Sequence, residues 1–422
     1  MKRLTSMILM GLLAVLMALP AAAQGPEEVS LWFHSGQGSE RDELDRQITA
    51  FNEMQDEYVI MPLEVPEGSY NDQVRAAALA GDLPCVLDFD GPFIYSYVFS
   101  GDLIPLDDYV TDELLDDVLP SIIGQGTVGD SIYSLGQFDS GLSIWANAAM
   151  LEEAGVRIPE GLDDVWTLDE FNEAMEALAA IVPDDGYVID FKFTYDGEWY
   201  SYGFGPMIRS FGGDTIDRET FETAEGVLNG EEAVAWGEWF QSLFANGYAT
   251  ATPVDPDADF MEGRVPLSWV GHWMYNDYKD ALGDDLVLIP APDFGNGAVT
   301  GMGSWNWGIT STCANPDGAW TFIEYLMDAD NTASMANANG AVPSRISALE
   351  ADERYQEGGD LHIYFLQLTE GVAVPRAQTA VYPTISTVME DVVNAIARGE
   401  DVQRSLDAAV DAIDSAIESL AG

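Results

Sequence analysis

The stretch VSLWFHSGQGSE, from Val29 to Glu40, decides the class of fold. Its first half is an apolar run of strand length, and its second half is a polar loop that contains two glycines. A helix is predicted after the loop, because Leu44, Ile48 and Phe51 recur at spacings of four and three residues. The stretch therefore predicts a strand, a loop and a helix in direct succession.

The same succession recurs further along the chain. YVIMPLEV (58–65) is a second predicted strand, and YNDQVRAAALAGD (70–82) is a second predicted helix that Gly81 closes. PCVLDFD (84–90) is a third predicted strand. Strands that alternate with helices predict an α/β fold, in which a parallel sheet carries helices on its faces.

Composition and length restrict the class of protein. The chain has 422 residues, which is more than one core usually holds, so two lobes are expected. It carries 73 acidic residues against 16 lysines and arginines, and its formal net charge is −57. Nucleic acid and anionic membrane surfaces would repel such a chain. The acids are spread among apolar residues, so we interpret them as the solvated shell of a folded protein adapted to a salty or acidic setting.

The first residues have the features of an export signal. Lys2 and Arg3 are followed by an uncharged apolar run from Met7 to Leu19, and small residues suit cleavage after Ala23. The run is shorter than the roughly 20 residues that a membrane span needs. We therefore expect a signal peptide at residues 1–23 and an exported mature protein. No cysteine lies at the cleavage point, so we expect a free periplasmic protein without a lipid anchor.

Further along, the sequence predicts how the lobes are joined. YSLGQFDSGLSIWAN (133–147) is predicted to be a strand that crosses between lobes. WTLDEFNEAMEALAAI is a predicted helix, in which Thr167 and Glu170 have the spacing of a capping box. The chain is predicted to be helical from Pro383 onward. No flexible linker interrupts the sequence, so the lobes should be joined by short crossings.

The sequence contains none of the common catalytic motifs. The histidines His34, His272 and His362 are far apart in sequence, and neither HExxH nor GxSxG occurs. DPDADF (255–260) resembles the start of a calcium loop, but Phe260 occupies the position that requires glycine. We therefore expect no enzyme activity, metal or cofactor. With 73 acids, however, the sequence does not exclude the pair of carboxylates that a glycosidase needs.

Several segments resemble a known family in their order and spacing. They include AFNEMQDEYVIMPLEV, ALAGDLP followed by SGDLIPLDD, IWANAAMLEEAGV, NANGAVPSR and, most specifically, FMEGRVPLSWVGHW (260–273). The chain resembles the family 1 extracellular solute-binding proteins, the maltose-binding-protein-like group that serves ABC importers. The resemblance implies a two-lobed periplasmic-binding-protein fold of type II, with a ligand cleft between lobes that close by bending at their hinge crossings.

The resemblance also implies the domain organisation and the function. After the signal peptide at 1–23, residues 24–140 plus 306–350 would form the N-terminal lobe, and 141–305 plus 351–422 the C-terminal lobe. The protein would be a monomeric receptor that binds a mono- or oligosaccharide and presents it to a membrane ABC permease. Two alternatives stay open: a secreted glycoside-active enzyme, and a receptor for a non-sugar solute such as a polyol or osmolyte.

The family topology bears on the two cysteines as well. It implies that the strand of Cys85 and the returning strand that ends at Cys313 are antiparallel neighbours, with both thiols at the end away from the cleft. A Cys85–Cys313 disulfide is therefore expected in an oxidising compartment. The alternative is a pair of buried, small apolar side chains.

The candidate site combines aromatic rings with polar groups near predicted strand ends. A sugar presents C–H groups on one face and hydroxyls at its edge, which suits an indole ring surrounded by carboxylates, amides and arginine. The resemblance indicates Trp273 as a sugar-stacking ring, because it ends the matched segment. Trp305 and Trp307 point the same way if their stretch is a strand, and we expect Trp305 to face the sugar and Trp307 to lie in the core. The complete predicted set is Gln37, Asp88, Asp90, Asp139, Tyr202, Trp273, Ser304, Trp305 and Arg376.

Each of these residues also has an ordinary structural interpretation. The aromatic residues could simply be buried in the core. The aspartates could belong to solvated turns, and Arg376 could pair with nearby acids.

Overall fold

The protein is described by a computed structural model that covers residues 25–183 and 186–421. The predicted signal peptide lies outside the described residues. The strands are β1 (Glu27–His34), β2 (Tyr58–Val65), β3 (Val86–Asp90), β4 (Thr127–Val128), β5 (Ser131–Ile132), β6 (Ser134–Leu135), β7 (Phe138–Asp139), β8 (Leu142–Asn147), β9 (Ile189–Asp190), β10 (Leu267–Gly271), β11 (Leu286–Ile289), β12 (Thr300–Met302), β13 (Trp305–Ile309), β14 (Val342–Pro343) and β15 (Ala373–Pro375).

The helices occupy most of the segments between these strands. They are α1 (Gly38–Met54), α2 (Tyr70–Ala80), α3 (Ile94–Ser100), α4 (Asp112–Leu115), α5 (Pro120–Gly126), α6 (Ala148–Ala154), α7 (Leu168–Ala179), α8 (Trp199–Phe211), α9 (Glu231–Ala245), α10 (Pro256–Met261), α11 (Tyr275–Leu282), α12 (Pro316–Leu326), α13 (Ala329–Asn339), α14 (Ile346–Ala351), α15 (His362–Thr369), α16 (Tyr382–Ala397) and α17 (Val402–Ala421).

The first sheet has the strand order β2-β1-β3-β13-β6. β1 pairs in parallel with β2 and β3, whereas β13 returns antiparallel between β3 and β6. The predicted alternation of strands and helices is therefore correct from β1 to β3. α1 packs through Leu44, Ile48 and Phe51, which are the residues that its spacing indicated, and Gly81 ends α2 in a left-handed conformation.

The second sheet has the order β11-β8-β10-β9. β8 lies antiparallel to both β10 and β11, and β10 is parallel to β9. α7 begins with the predicted capping box: Glu170 N–H donates to the Thr167 hydroxyl, and Thr167 N–H donates to the Glu170 carboxylate. The C-terminal helices α16 and α17 pack against each other and against α9, as the helical pattern after Pro383 led us to expect.

The chain passes between the two sheets in short crossings. The predicted crossing strand at 133–147 is divided into β6 in the first sheet, β7, and β8 in the second sheet. Between β7 and β8, Gly141 lets the ring of Tyr364 approach the backbone, since a Cβ atom there would lie 2.2 Å from that ring. β7 pairs with β14, and β12 pairs with β15 immediately before the chain enters β13. The crossings thus form two small ladders beside the sheets.

Apolar packing joins the two sheets near these crossings. The buried side chains form two clusters, and each contains residues from both sheets. One cluster includes Phe89 of β3 and Ile144 of β8, and the other includes Leu31 of β1 and Trp145 of β8. The division into lobes at residues 140, 305 and 350 stays a prediction.

A disulfide joins Cys85 and Cys313, which are 228 residues apart in sequence. Cys85 immediately precedes β3, and Cys313 follows the end of β13. Thr310 N–H donates to the Cys85 carbonyl at 3.0 Å, so the antiparallel ladder continues to the cross-link. The disulfide lies at the opposite end of β3 from Asp90.

Carboxylates dominate the charged surface. Arginines pair with acids in several places, for example Arg345 with Asp117 at 2.8 Å, but a large excess of acids remains. Within the residues that the structure describes, no helix has the length and apolarity of a membrane span.

Loss of the disulfide should destabilise the fold. A Cys85→Ala/Cys313→Ala variant should lose about 2–5 kcal/mol of unfolding free energy, because the cross-link restricts the unfolded chain over a long loop. Urea unfolding of the variant and of the oxidised wild type measures the difference. Reduction of the wild type should reproduce the loss. Two free thiols in the denatured, unreduced protein would contradict the pairing.

Salt should stabilise the protein. The unfolding free energy should rise with sodium chloride, and most steeply at low concentrations, because the Debye length falls from about 10 Å at 0.1 M to about 3 Å at 1 M. Urea midpoints measured over that range test this expectation. A midpoint that is independent of salt would show that repulsion between the surface acids does not limit stability.

Candidate functional site

At one edge of the first sheet, β1 and β3 end and β13 begins. The candidate site starts at this edge. β1 ends at His34 and β3 ends at Asp90, and Asp90 is the register partner of Trp305 at the start of β13. This edge is where the carboxyl ends of parallel strands leave room for a ligand. The register explains why Asp90 and Trp305, which are distant in sequence, are neighbours.

His34 is the centre of a buried polar group at this edge. Its Nδ1 lies 2.5 Å from Asp88 Oδ2, and its Nε2 lies 3.5 Å from Glu40 Oε1. Burial alone would lower the pKa of His34, but the charges of Asp88 and Glu40 outweigh it and raise this pKa well above its ordinary value. The imidazole stacks on Trp305 with a centroid distance of 3.6 Å and an interplanar angle of 6°.

An ion cluster links the first sheet to α8. Arg376 Nη1 and Nη2 lie 2.6 and 2.5 Å from the two carboxylate oxygens of Asp90, and Nη1 also lies 2.7 Å from Glu198 Oε1. Glu198 immediately precedes α8, where a carboxylate is favoured by the helix dipole. The Arg376 guanidinium lies 4.9 Å from the centroid of the Tyr202 ring. The pairing of Arg376 with local acids, considered above, is therefore present in the structure.

Burial raises the pKa of Glu198, although the charge of Arg376 acts in the opposite direction. Two carboxylates thus share one guanidinium in a buried setting. Tyr382 OH also donates to Glu198, which stabilises its charged form.

Aromatic rings from α8 and from the segment that follows β10 meet this cluster. Trp273 follows β10 and remains partly exposed, and its Nε1 donates to the hydroxyl of Tyr195 at 3.1 Å. Its ring lies edge-to-face with Trp199 at 6.1 Å and tilted against Tyr202 at 6.2 Å. Trp199 and Tyr202 lie on one face of α8 because they are three residues apart. Gly271 permits the arrangement, since a Cβ atom there would lie 2.1 Å from the Trp273 ring.

The structure places Asp139 in a crossing between the sheets. Its side chain is 0% exposed, and it accepts hydrogen bonds from Gly303 N–H, Ser140 N–H and the Gln125 amide. Asp139 is also paired through the β7–β14 ladder, which covers it. Both carboxylate oxygens of Asp139 are thus used within the protein, and its contact with a ligand stays a prediction. Burial raises the pKa of Asp139, although its hydrogen bonds oppose the shift.

Asp88 is also buried. It is 1% exposed, and its Oδ2 is occupied by His34. It therefore holds His34, and its contact with a ligand stays a prediction. Trp307 is buried in the core beside it, as expected, and Trp305 remains partly exposed with one face against His34.

Five of the predicted residues form one continuous set of neighbours. They are Asp90, Tyr202, Trp273, Trp305 and Arg376. Ser304 adjoins this set through its backbone: its N–H donates to Gln125, and its carbonyl accepts from Gly91 N–H. Gln37 is partly exposed at the start of α1 and does not cap that helix.

Four residues of the site were not predicted from the sequence: His34, Tyr195, Glu198 and Trp199. Trp199 had a usable signal, because it lies three residues before Tyr202 in a helical, aromatic run. Tyr195, four residues before Trp199, continues the same spacing. No spacing in the sequence indicates Glu198, and His34 was considered only as one of three histidines that are far apart in sequence.

The site contains several buried polar atoms without a hydrogen-bond partner among the described residues. They are Asp88 Oδ1, Glu198 Oε2, Tyr202 OH, Ser304 Oγ and Arg376 Nε. Such atoms are costly unless a ligand or water satisfies them. Within the described part of the chain, no group of three or more potential metal ligands occurs. The calcium-like stretch is the helix α10, where Asp255 caps the N-terminus and Asp257 pairs with Lys192.

Fold and site together define a two-lobed solute-binding protein. A sequence model of the bacterial extracellular solute-binding proteins matches residues 46–361, which is most of the chain, and the protein belongs to this family. Membership confirms the resemblance found in the sequence and the expected class, a solute-binding protein and not an enzyme. It also agrees with an exported protein.

Individual relatives support the same fold. The maltotriose-binding protein of Pyrococcus abyssi is 23% identical over 319 residues, which cover 72% of this chain and 63% of that protein. The acarbose-binding GacH receptor of Streptomyces glaucescens superposes with a TM-score of 0.77 at 19% identity, over 94% of this chain and 98% of that one. A solute-binding protein of Thermotoga lettingae, bound to α-D-tagatose, gives a TM-score of 0.77 at 19% identity over 93% and 100%. These similarities confirm the predicted type II fold.

Asp139 should be essential for stability at the crossing. Asp139→Ala should lower the unfolding free energy by about 3 kcal/mol or more, because several buried donors lose their acceptor. Urea unfolding measures the loss. Asp45→Ala, at an exposed position of α1, is the control and should change stability by less than about 0.5 kcal/mol. Equal stabilities of the two variants would refute the structural role.

Proposed function

We propose that this protein is the receptor of an ABC importer for a neutral mono- or oligosaccharide. The observation that carries the proposal is the partly exposed indole of Trp273, which is held by Tyr195 and Trp199 beside the Asp90–Arg376–Glu198 cluster. It puts a flat apolar surface next to charged hydrogen-bonding groups.

This combination suits a sugar for physical reasons. The C–H face of a pyranose ring packs on an indole, which offers a large, rigid contact area at little entropic cost. The hydroxyls at the edge of the ring can donate to carboxylates and accept from arginine. The unpartnered atoms of Glu198, Tyr202 and Ser304 are candidates for these hydrogen bonds.

The charge of the site favours an uncharged solute. Asp90 and Glu198 already pair with the single arginine of the site, so its guanidinium is not free to neutralise an anionic solute. A sugar phosphate or a uronate would be repelled, because no unpaired cation among the cited contacts would meet its anionic group.

The relatives support a sugar as the solute class. The curated relative is named for maltotriose, and the two structural relatives bind acarbose and tagatose. Because these ligands range from a monosaccharide to oligosaccharides, we propose the class and leave its length to experiment. A polyol or osmolyte is the second candidate, since it could use the same hydrogen bonds, but it would gain less from an indole surface.

We further propose the cellular setting that the signal sequence and family suggest. After cleavage near Ala23, the mature protein would be a periplasmic monomer. Its N-terminal lobe would be 24–140 plus 306–350, and its C-terminal lobe 141–305 plus 351–422. A sugar that touches both lobes would favour their closed arrangement, and a membrane permease would recognise that arrangement.

A thermal-shift screen tests the solute class. Neutral mono- and oligosaccharides, polyols, sugar phosphates and uronates are added separately, and a ligand at about 100 times its Kd should add about 2.7 kcal/mol of stability. We expect shifts with one or more neutral sugars and none with the anions. Stabilisation by a polyol alone, or by a sugar phosphate, would refute the proposal.

Truncation of the stacking ring should weaken binding. Trp273→Ala should cost about 2–4 kcal/mol of affinity for the sugar identified in the screen, measured by isothermal titration calorimetry. Trp239→Ala is the matched control. Trp239 lies on α9, away from the cleft; it is also partly buried, and it packs against Phe294. Trp239→Ala should leave the affinity unchanged. Normal affinity of both Trp273→Ala and Trp305→Ala would refute the aromatic site.

A further inference from the structure

His34 and Trp305 form the closest parallel ring pair in the candidate site. The two rings lie 3.6 Å apart and within 6° of parallel, and the imidazole is 8% exposed. Trp305 contacts Tyr70 of α2 edge-to-face at 5.2 Å. The orientation of the indole is therefore set largely by two neighbours, His34 and Tyr70, and only one of them can carry a positive charge.

The groups that face His34 come from several elements. Asp88 of β3 contacts Nδ1, and Glu40 of α1 lies opposite Nε2. Glu67, between β2 and α2, is exposed and donates through its N–H to Ser35 Oγ next to His34, and Arg41 of α1 lines the same small cavity. The carboxylates outnumber the one nearby guanidinium, so the surroundings favour a protonated imidazole at neutral pH.

We propose that His34, as an imidazolium clamped between Asp88 and Glu40, is a positioning residue that fixes the indole of Trp305 for ligand binding. A cation over the face of an indole is attracted by the ring electrons. The same charge is attracted by both carboxylates. Protonation therefore strengthens both the hydrogen bond of His34 to Asp88 and its stacking on Trp305. The indole is then already ordered, so it loses less conformational entropy when the ligand binds.

The inference rests on the proposed function in one respect, namely that Trp305 belongs to the sugar site. Because Asp88 and Glu40 raise the pKa of His34, the proton is present at neutral pH and is lost only as the pH rises through that elevated value. The affinity should therefore be constant near neutrality and fall in the alkaline range. The fall should follow the titration of His34.

Tryptophan fluorescence tests the stack without any ligand. A protonated imidazole in contact with an indole quenches its emission, so the wild type should keep a constant emission near neutral pH and brighten in a step as the pH rises into the alkaline range. His34→Gln and Trp305→Phe should both lack the step. His272→Gln is the matched control and should keep it, because burial lowers the pKa of His272 to about 4 and leaves that ring neutral throughout. A step that persists in His34→Gln would overturn the proposal.

A milder variant provides a second test in a protein with an intact core. Glu40→Gln removes one of the two carboxylates that hold the proton, at a side chain that is 12% exposed. The fluorescence step should move to lower pH. An unchanged midpoint in this variant would also contradict the proposal.

Affinity measurements then connect the stack to function. For the sugar found in the screen, His34→Gln should bind about tenfold more weakly at neutral pH and should lose the alkaline decline of the wild type. Parallel pH profiles for the two proteins would overturn the positioning role. If no sugar binds at any pH, the proposed function fails, whereas the fluorescence titration still decides whether His34 clamps Trp305.

Discussion

One arginine connects the two halves of the structure at the candidate site. The guanidinium of Arg376 contacts Asp90 at the end of β3 and Glu198 at the start of α8. Burying three charges is costly, and the cost is offset only when each charge is well paired. Loss of one partner would leave an uncompensated buried charge, which typically costs about 3–5 kcal/mol. The site therefore depends on the strands and helices that deliver these three side chains to one point.

The remaining features of the site are arranged around this ion cluster. Tyr202 lies against the guanidinium and also touches Trp273, so the cluster is in contact with the aromatic surface. On the other side, Asp90 is the register partner of Trp305, whose ring His34 holds. Charge pairing, a strand register and ring stacking thus form one connected set of contacts. This connection explains how a solute could influence both halves of the protein at once.

The fold could be predicted largely from local sequence patterns. Apolar spacing identified α1, Gly81 identified the end of α2, and Thr167 with Glu170 identified the start of α7. These signals act over a few residues and do not depend on distant packing. The resemblance to the solute-binding proteins then supplied the arrangement into two lobes.

The site was only partly predictable, because its contacts join distant parts of the chain. Asp139 looked like a ligand-binding residue after a strand, but its pairing with Val342 in β14 buries it. His34 was not assigned to the site, because nothing in its own segment indicates Asp88 or Trp305 as neighbours. Glu198 had no sequence signal, since its partner Arg376 is 178 residues away. Such pairs depend on tertiary packing, which spacing within one segment does not encode.

The central claim is that Arg376 holds the end of β3 and the start of α8 together at the candidate site. The most direct measurement is the distance distribution between spin labels at Leu79→Cys on α2 and Val254→Cys before α10, both highly exposed positions. The label-to-label distances in the parent protein and in Arg376→Met are compared by double electron–electron resonance spectroscopy. The account predicts a narrow distribution in the parent and a broader one, shifted to longer distance, in Arg376→Met. Indistinguishable distributions would contradict it.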